Sequence, residues 1–247
     1  MRVALISDLH GNEVALEAVL AEVEDVDRLV CLGDVATLGP RPGAILQRLA
    51  DSRCDCILGN HDEFLYDAEL IRRYTEAPII VDSVDWCRAQ LSARELDFVR
   101  GFKKTLEIPL DCPAASPHEK ATLFLFHGSP RSHMEDLLAE TAPERVDELL
   151  AGHHATVMAG GHTHIQMLRQ HRGILLVNPG SVGLPFKEFV AGRAPTLMAH
   201  AEYATVDDAD GTINVALHRV PLEKAQLRGA AAACSNPLRE VWLQQYA

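Results

Sequence analysis

Five short apolar runs in this chain each stop on residues able to bind a metal ion. Residues 3–7 (Val-Ala-Leu-Ile-Ser) lead to Asp8 and then His10, and residues 29–33 (Leu-Val-Cys-Leu-Gly) lead to Asp34. Residues 56–59 lead to Asn60 and His61, residues 123–126 to His127, and residues 156–161 to His162 and His164. Carboxylates are hard oxygen ligands, an asparagine amide adds a neutral oxygen, and imidazoles are borderline nitrogen donors. A mixed oxygen and nitrogen set without thiolate suits Mn²⁺, Fe, Co²⁺, Ni²⁺ or Zn²⁺ rather than a structural zinc or a calcium cage. The chemistry open to such a set is activation of water.

Apolar runs of four or five residues bounded by Gly or Asp read as buried strands. Between the first two runs, Ala15, Leu16, Val19, Leu20 and Val23 share a helical face, with Asn12 as N-cap and Glu13 in the first turn. A second helix is expected over 42–50. Strand, helix, strand, helix, strand implies parallel pairing through crossover helices, and such sheets collect ligands beyond the carboxyl ends of their strands. The five run-ends therefore belong at one edge although they are far apart in the sequence. Residues 67–74, 84–91 and 93–102 read as helices with Pro78 as a break, a block over 64–105 packed beside the sheet and walling the site. Residues 111–120 read as a polar hairpin tip or loop. Short strands at 174–177, 201–206 and 213–220 are expected to form a second sheet, before an amphipathic tail with Leu238, Val241 and Trp242.

In order, the polar run-ends are Asp8-x-His10, Gly33-Asp34, Gly59-Asn60-His61-Asp62, His127-Gly128 and Gly161-His162-Thr163-His164. Asp-x-His or Gly-Asp alone carries little information, but all five blocks in this order resemble the ligand motifs of the calcineurin-like metallophosphoesterase family. The flanks Asp8-Leu-His-Gly-Asn12, Gly39-Pro-Arg-Pro42, His127-Gly-Ser-Pro130 and Asn178-Pro-Gly-Ser-Val-Gly183 resemble its compact bacterial and archaeal branch of phosphodiesterases and diadenosine polyphosphate hydrolases. The resemblance runs from residue 1 to about 220. It implies an α/β fold, a four-layer α-β-β-α sandwich of two mixed sheets, over a single domain 1–247. It also implies two divalent transition-metal ions, Mn²⁺ first and Fe, Ni²⁺, Co²⁺ or Zn²⁺ as alternatives. Asp8, His10, Asp34 and His164 would hold one ion; a bridging Asp34, Asn60, His127 and His162 would hold the other. The implied reaction is phosphodiester hydrolysis by in-line attack of a hydroxide shared by the metals. In this scheme His61 stabilises the transition state or protonates the leaving oxygen, and Asp62 orients His61. A diadenosine polyphosphate hydrolase is the alternative, sharing the metal chemistry and differing in the pocket. A non-catalytic protein-binding scaffold is the remote one, disfavoured because His61 and every ligand position are intact.

Other polar residues have plainer readings. His153 and His154 precede their strand and belong at its far end as solvated loop residues, and His133 is read as a surface residue. Arg41 and Arg131 leave the metal-bearing strand ends, where a guanidinium could clamp a phosphate, but surface ion pairs are the expected use. Asn178 to Gly183 is read as a turn steering the chain past the site, and as pocket wall second. Thr37-Leu38 and loop 184–197 depart from the branch pattern, so loops 36–43 and 184–197 are where selectivity would be set. With 47% hydrophobic and 23% charged residues the composition is that of an ordinary globular protein. A net charge of −12 argues against stable nucleic-acid binding, although bound cations can still draw in an anionic substrate. The expected partner is a small phosphorylated substrate such as a nucleotide, with self-association left open. Six scattered cysteines read as reduced thiols in a cytoplasmic protein, and no apolar stretch is long enough for a membrane span.

Overall fold

The computed structural model describes residues 1–113, 120–190, 193–209 and 211–247. The chain opens with β1 (Arg2–Ile6), α1 (Glu13–Glu22), β2 (Arg28–Cys31), α2 (Pro42–Asp51) and β3 (Asp55–Cys56). A helical block follows: α3 (Asn60–Phe64), α4 (Ala68–Tyr74), α5 (Pro78–Ala89) and α6 (Ala93–Arg100). Then come β4 (Leu106–Pro113), β5 (Lys120–Leu125), α7 (Pro143–Leu150), β6 (Val157–Ala159), β7 (Met167–His171) and β8 (Ile174–Asn178). The chain closes with β9 (His200–Ala209), β10 (Thr212–Pro221), α8 (Lys224–Ala232) and α9 (Arg239–Gln245).

The strands form two mixed five-stranded sheets, ordered β10-β9-β1-β2-β3 and β4-β5-β6-β8-β7. β1, β2 and β3 are parallel, as are β5, β6 and β8. The two-residue side-chain period divides each inner strand between two cores. Val3, Leu5, Val30 and Leu32 join Leu123, Leu125, Val157 and Val177 between the sheets. Ala4, Ile6 and Cys31 point the other way, to Leu16, Val19, Ile45 and Leu46 of α1 and α2. On the outer face of the second sheet, Met158 and Leu176 pack with Val146 and Leu149 of α7. The result is the expected four-layer sandwich.

Several elements depart from the sequence expectation. β9 and β10 do not join a second sheet with β8: β9 pairs antiparallel with β1, Leu5 opposite Ala204, and extends the first sheet. β9 lies between β1 and β10 and is buried on both faces, so its apolar content says nothing about which sheet it joins. Pro78 does separate two helices, but α5 starts at it rather than at residue 84, the proline occupying the first turn, where its fixed φ fits and its missing N–H is not needed. β4 and β7 were not foreseen, and β4 takes residues 111–113 from the expected loop; residues 114–119 of that loop lie outside the described residues. The helical block packs beside the first sheet, with Leu65, Cys87, Val99 and Phe102 buried in the same core as Ile6 and Ile45. His153 and His154 are exposed before β6, as expected, with His153 stacked on Phe124. Among the described residues no helix is long and apolar enough to cross a membrane.

Leu5 has no solvent exposure and stands between the sheets one turn of chain from Asp8. Leu5→Ala is expected to destabilise the protein by roughly 2–5 kcal/mol, read as a lower urea midpoint at unchanged m-value.

Candidate metal centre

The loops that leave β1, β2, β3, β5 and β6 bring the predicted ligands to one edge of the two sheets. Asp8, His10 and His164 place one donor atom each within 4.8 Å of one another, and so do Asp34, His127 and His162. Asp34 joins the two groups: its Oδ2 lies 3.9 Å from His10 Nε2 and 3.4 Å from His127 Nε2. Asn60 Oδ1 lies 3.2 Å from His127 Nε2. All seven residues proposed as ligands are thus brought together, with Asp34 between the two groups.

The backbone there is contorted. Asp8, His10, Asp34, His162 and His164 all have positive φ, between 43° and 70°, a region that residues with a β-carbon rarely occupy. Loop-to-loop hydrogen bonds hold it: Asp8 N–H donates to Gly33 O at 2.9 Å, His10 N–H to Asp34 O at 3.0 Å, and Gly161 N–H to His127 O at 2.8 Å. Gly33, at φ 108°, packs so closely that a β-carbon would stand 2.6 Å from Gly59 N.

Four of the ligands use one side-chain atom for the backbone and leave the other for the centre. Asp8 Oδ2 accepts from His162 N–H at 3.0 Å, while its buried Oδ1 has no hydrogen-bond partner. Asp34 Oδ1 accepts from His61 N–H at 2.9 Å, leaving Oδ2 between the two groups. His127 Nδ1 donates to Leu32 O at 2.6 Å and His164 Nδ1 to Leu184 O at 2.7 Å. A carbonyl only accepts, so in neutral His127 and His164 the proton is on Nδ1 and the Nε2 lone pair faces inward. His164 Nε2 then stands 3.1 Å from His10 Nε2 and 3.3 Å from Asp8 Oδ1. Lone pairs and carboxylate oxygens converging at such distances repel unless cations lie among them.

Burial opposes charging His127, yet Asp34 and Asp8 pull it up to about 9. His162 goes the other way, pushed down to about 3 by burial and by His127. The donor set therefore fits divalent transition metals.

Asp62 departs from its expected role. Its Oδ2 accepts from Asp34 N–H at 2.8 Å and Gly59 N–H at 2.9 Å, and its Oδ1 from Val35 N–H at 2.8 Å. Both oxygens are committed to backbone, and His61 Nδ1 is buried without a hydrogen-bond partner. Asp62 thus fixes the Asp34 loop rather than orienting His61. The His61 ring lies edge-on beside those of His10, Phe64 and Tyr74, at centroid distances of 5.2, 5.0 and 5.9 Å.

The arginines take their plainer role. Arg131 pairs with Glu135 and Arg41 with Glu13, both as exposed ion pairs. His133 pairs with Glu63 at 3.0 Å. The 178–183 turn does more than steer the chain. Asn178 Nδ2 donates to Gly161 O and Thr163 Oγ1, and Ser181 Oγ donates to Asp8 O at 2.7 Å. Asn12 Nδ2 donates to Gly183 O at 2.9 Å. These supports were not predicted, although the Asn-Pro-Gly-Ser signature was the available signal. Phe186, stacked on His164 at 4.2 Å, and Asp136, 3.5 Å from His162 Nε2, carried no sequence signal.

Two outcomes are expected in thermal melts. Mn²⁺ at about a hundredfold over its Kd raises the Tm by roughly 5–10 °C, EDTA reverses the rise, and Asp34→Ala abolishes the response while His61→Ala keeps it. Asp62→Ala strands three amide donors, costs roughly 3 kcal/mol or more, and weakens the Mn²⁺ response.

Comparison with known proteins places this geometry. Residues 1–202 match the calcineurin-like phosphoesterase superfamily domain. An uncharacterised protein of Methanocaldococcus jannaschii is 25% identical over 240 residues, covering 90% of this chain and 89% of its own length. The crystal structure of a metallophosphoesterase from Sphaerobacter thermophilus superposes with a TM-score of 0.72 at 24% identity, covering 99% of this chain and 100% of that one. A hypothetical protein from Pyrococcus horikoshii gives a TM-score of 0.77 at 17% identity, with 98% and 97% covered. At these identities the two solved structures speak for the fold, and the domain match speaks for the family. The chain belongs to the calcineurin-like phosphoesterase superfamily.

Proposed function

We propose that the protein is a two-metal phosphodiesterase. The observation that carries this reading is the position of Asp34 Oδ2 between two groups of inward-facing acceptors, with the His61 ring beside them and bound to neither. Asp8, His10, Asp34 and His164 would hold one ion and Asp34, Asn60, His127 and His162 the other, with Mn²⁺ the first candidate. Divalent ions at such a site lower the pKa of water and neutralise charge on phosphoryl oxygens.

The chain's own groups supply the rest. Backbone amides and carbonyls hold each ligand in place before substrate arrives, so little reorganisation accompanies the reaction. His61 is nearly buried against Phe64 and Tyr74, and burial disfavours its charged form. An anionic phosphoryl group beside it would restore that form. As a water oxygen bonds to phosphorus and gives up its proton, the ring would give its own proton to the departing oxygen, so that no covalent intermediate forms on the protein. Asp62 serves the reaction indirectly, by fixing the strained Asp34 loop. An acid is needed most where the leaving oxygen is basic, so its loss is felt unevenly across substrates.

The test is hydrolysis of a phosphodiester panel with Mn²⁺, with chelator, and in variants. EDTA and Asp34→Ala are each expected to abolish turnover. His61→Ala is expected to lower kcat by roughly 10²–10⁴-fold for a nucleoside leaving group, and by less for p-nitrophenolate, which leaves without a proton. Activity that survives chelation, or that is indifferent to His61 with both leaving groups, overturns the reading. Including diadenosine polyphosphates and phosphomonoesters compares anhydride and monoester cleavage with diester cleavage.

A further inference from the structure

We propose that Tyr74 is a specificity residue that selects substrates whose leaving group carries a planar ring. The inference rests on the reading of His61 as the leaving-group acid. Tyr74 ends α4, in the helical block inserted between the strands that carry Asn60 and His127. α4 is anchored by Ile71, buried in a small core with Phe64 and Val84. The Tyr74 ring meets His61 edge-on at 5.9 Å, with an interplanar angle of 81°, and touches Phe64 at 5.4 Å. Yet Tyr74 is 44% exposed. Among the described residues its hydroxyl makes no hydrogen bond, whereas His61 beside it is only 7% exposed.

These facts fix what lies next to the ring. A group that hands its proton to a leaving oxygen must sit within hydrogen-bond reach of that oxygen. The leaving group's next atoms therefore extend over the surface around His61, and Tyr74 is the open aromatic surface in contact with that imidazole. At the other end of the row of rings Tyr74–His61–His10–His164–Phe186, Phe186 is stacked on a proposed ligand at 4.2 Å and is half-buried. Tyr74 is the ring with area free to offer. An alkyl leaving group gains little from an aromatic wall, whereas a flat ring stacks on it and gains about tenfold or more in affinity. The common chemistry is a planar ring on the leaving group, one or two bonds from the ester oxygen in an aryl or benzyl ester and across the sugar from it in a nucleoside.

The experiment compares wild type, Tyr74→Ala and Tyr74→Phe as Mn²⁺-loaded full-length protein. The probes are two non-hydrolysable inhibitors of nearly equal size, benzylphosphonate, whose ring is planar, and cyclohexylmethylphosphonate, whose ring is not. The expected result is an approximately tenfold preference for the benzyl compound in wild type and Tyr74→Phe, erased in Tyr74→Ala. For bis(p-nitrophenyl) phosphate the KM of Tyr74→Ala should rise about tenfold while kcat stays within about twofold. Adenosine 5′-monophosphate distinguishes the two sources of the ring. Inhibition weakened in Tyr74→Ala assigns the surface to a nucleoside, and inhibition unchanged while benzylphosphonate weakens assigns it to a simple aryl group. Tyr74→Ala retaining the benzyl preference overturns the proposal. So does a loss of kcat at constant KM, which would make Tyr74 a prop for His61. In both cases the wild type still hydrolyses diesters and the reading of the site stands; a metal-loaded wild type that hydrolyses no phosphodiester removes that reading and this one together.

Discussion

Buried carboxylates and imidazole lone pairs cannot be crowded together without cations, and most features of this molecule follow from that constraint. Asp8, Asp34, His127 and His164 each bind the backbone through one side-chain atom and turn the other toward a common point. The anchored atom sets direction and, for the histidines, the tautomer. The free atom is left with an unmet electrostatic demand that water inside such a tight cluster meets poorly and divalent ions meet well. Burial opposes the charge of His127, yet the same crowding lets Asp34 and Asp8 raise its pKa.

Holding that arrangement requires backbone that the chain would not adopt unaided. Five of the proposed ligands sit at positive φ, each at a cost of order 1–3 kcal/mol. The strain persists because surrounding bonds over-determine it. Asp62 ties Asp34, Val35 and Gly59 together from below. Asn178 and Ser181 tie the second sheet's histidine loop to the first sheet's Asp8 strap. These residues are not among the proposed ligands, yet they help keep the two halves of the centre in register.

Around this centre other parts of the chain supply the neighbouring surface. The helical block contributes Tyr74 and Phe64 beside His61, and loop 184–197 contributes Phe186 beside His164. The C-terminal segment bonds to loops 36–43 and 184–197: Asn236 Nδ2 donates to Gly39 O, and Gln245 accepts from Leu197 N–H and donates to Pro195 O. Residues beyond the 1–202 domain match are therefore part of the site's surroundings rather than an appendage.

The ligand types, their order and their place at strand ends were legible in the sequence, because a strand buried on both faces must be apolar and its end is marked by the first polar residue. Helix α1 was legible through its Asn12 cap and apolar face, and α2 takes almost the residues expected, starting at Pro42. The sheet to which β9 and β10 belong was not, since a doubly buried strand looks alike in either sheet and pairing is a long-range choice. Nor was the task of Asp62: its neighbour in sequence is His61, but its partners include Asp34 and Val35, nearly thirty residues earlier. Tyr74 gave no sign at all, being one aromatic residue on a helix until folding set it against His61. The sequence by itself determined which atoms could hold metal, because that is a property of residue type. Only the tertiary structure decided which atom of each residue faces inward and what the leaving group meets, because those depend on hydrogen bonds and packing between distant segments.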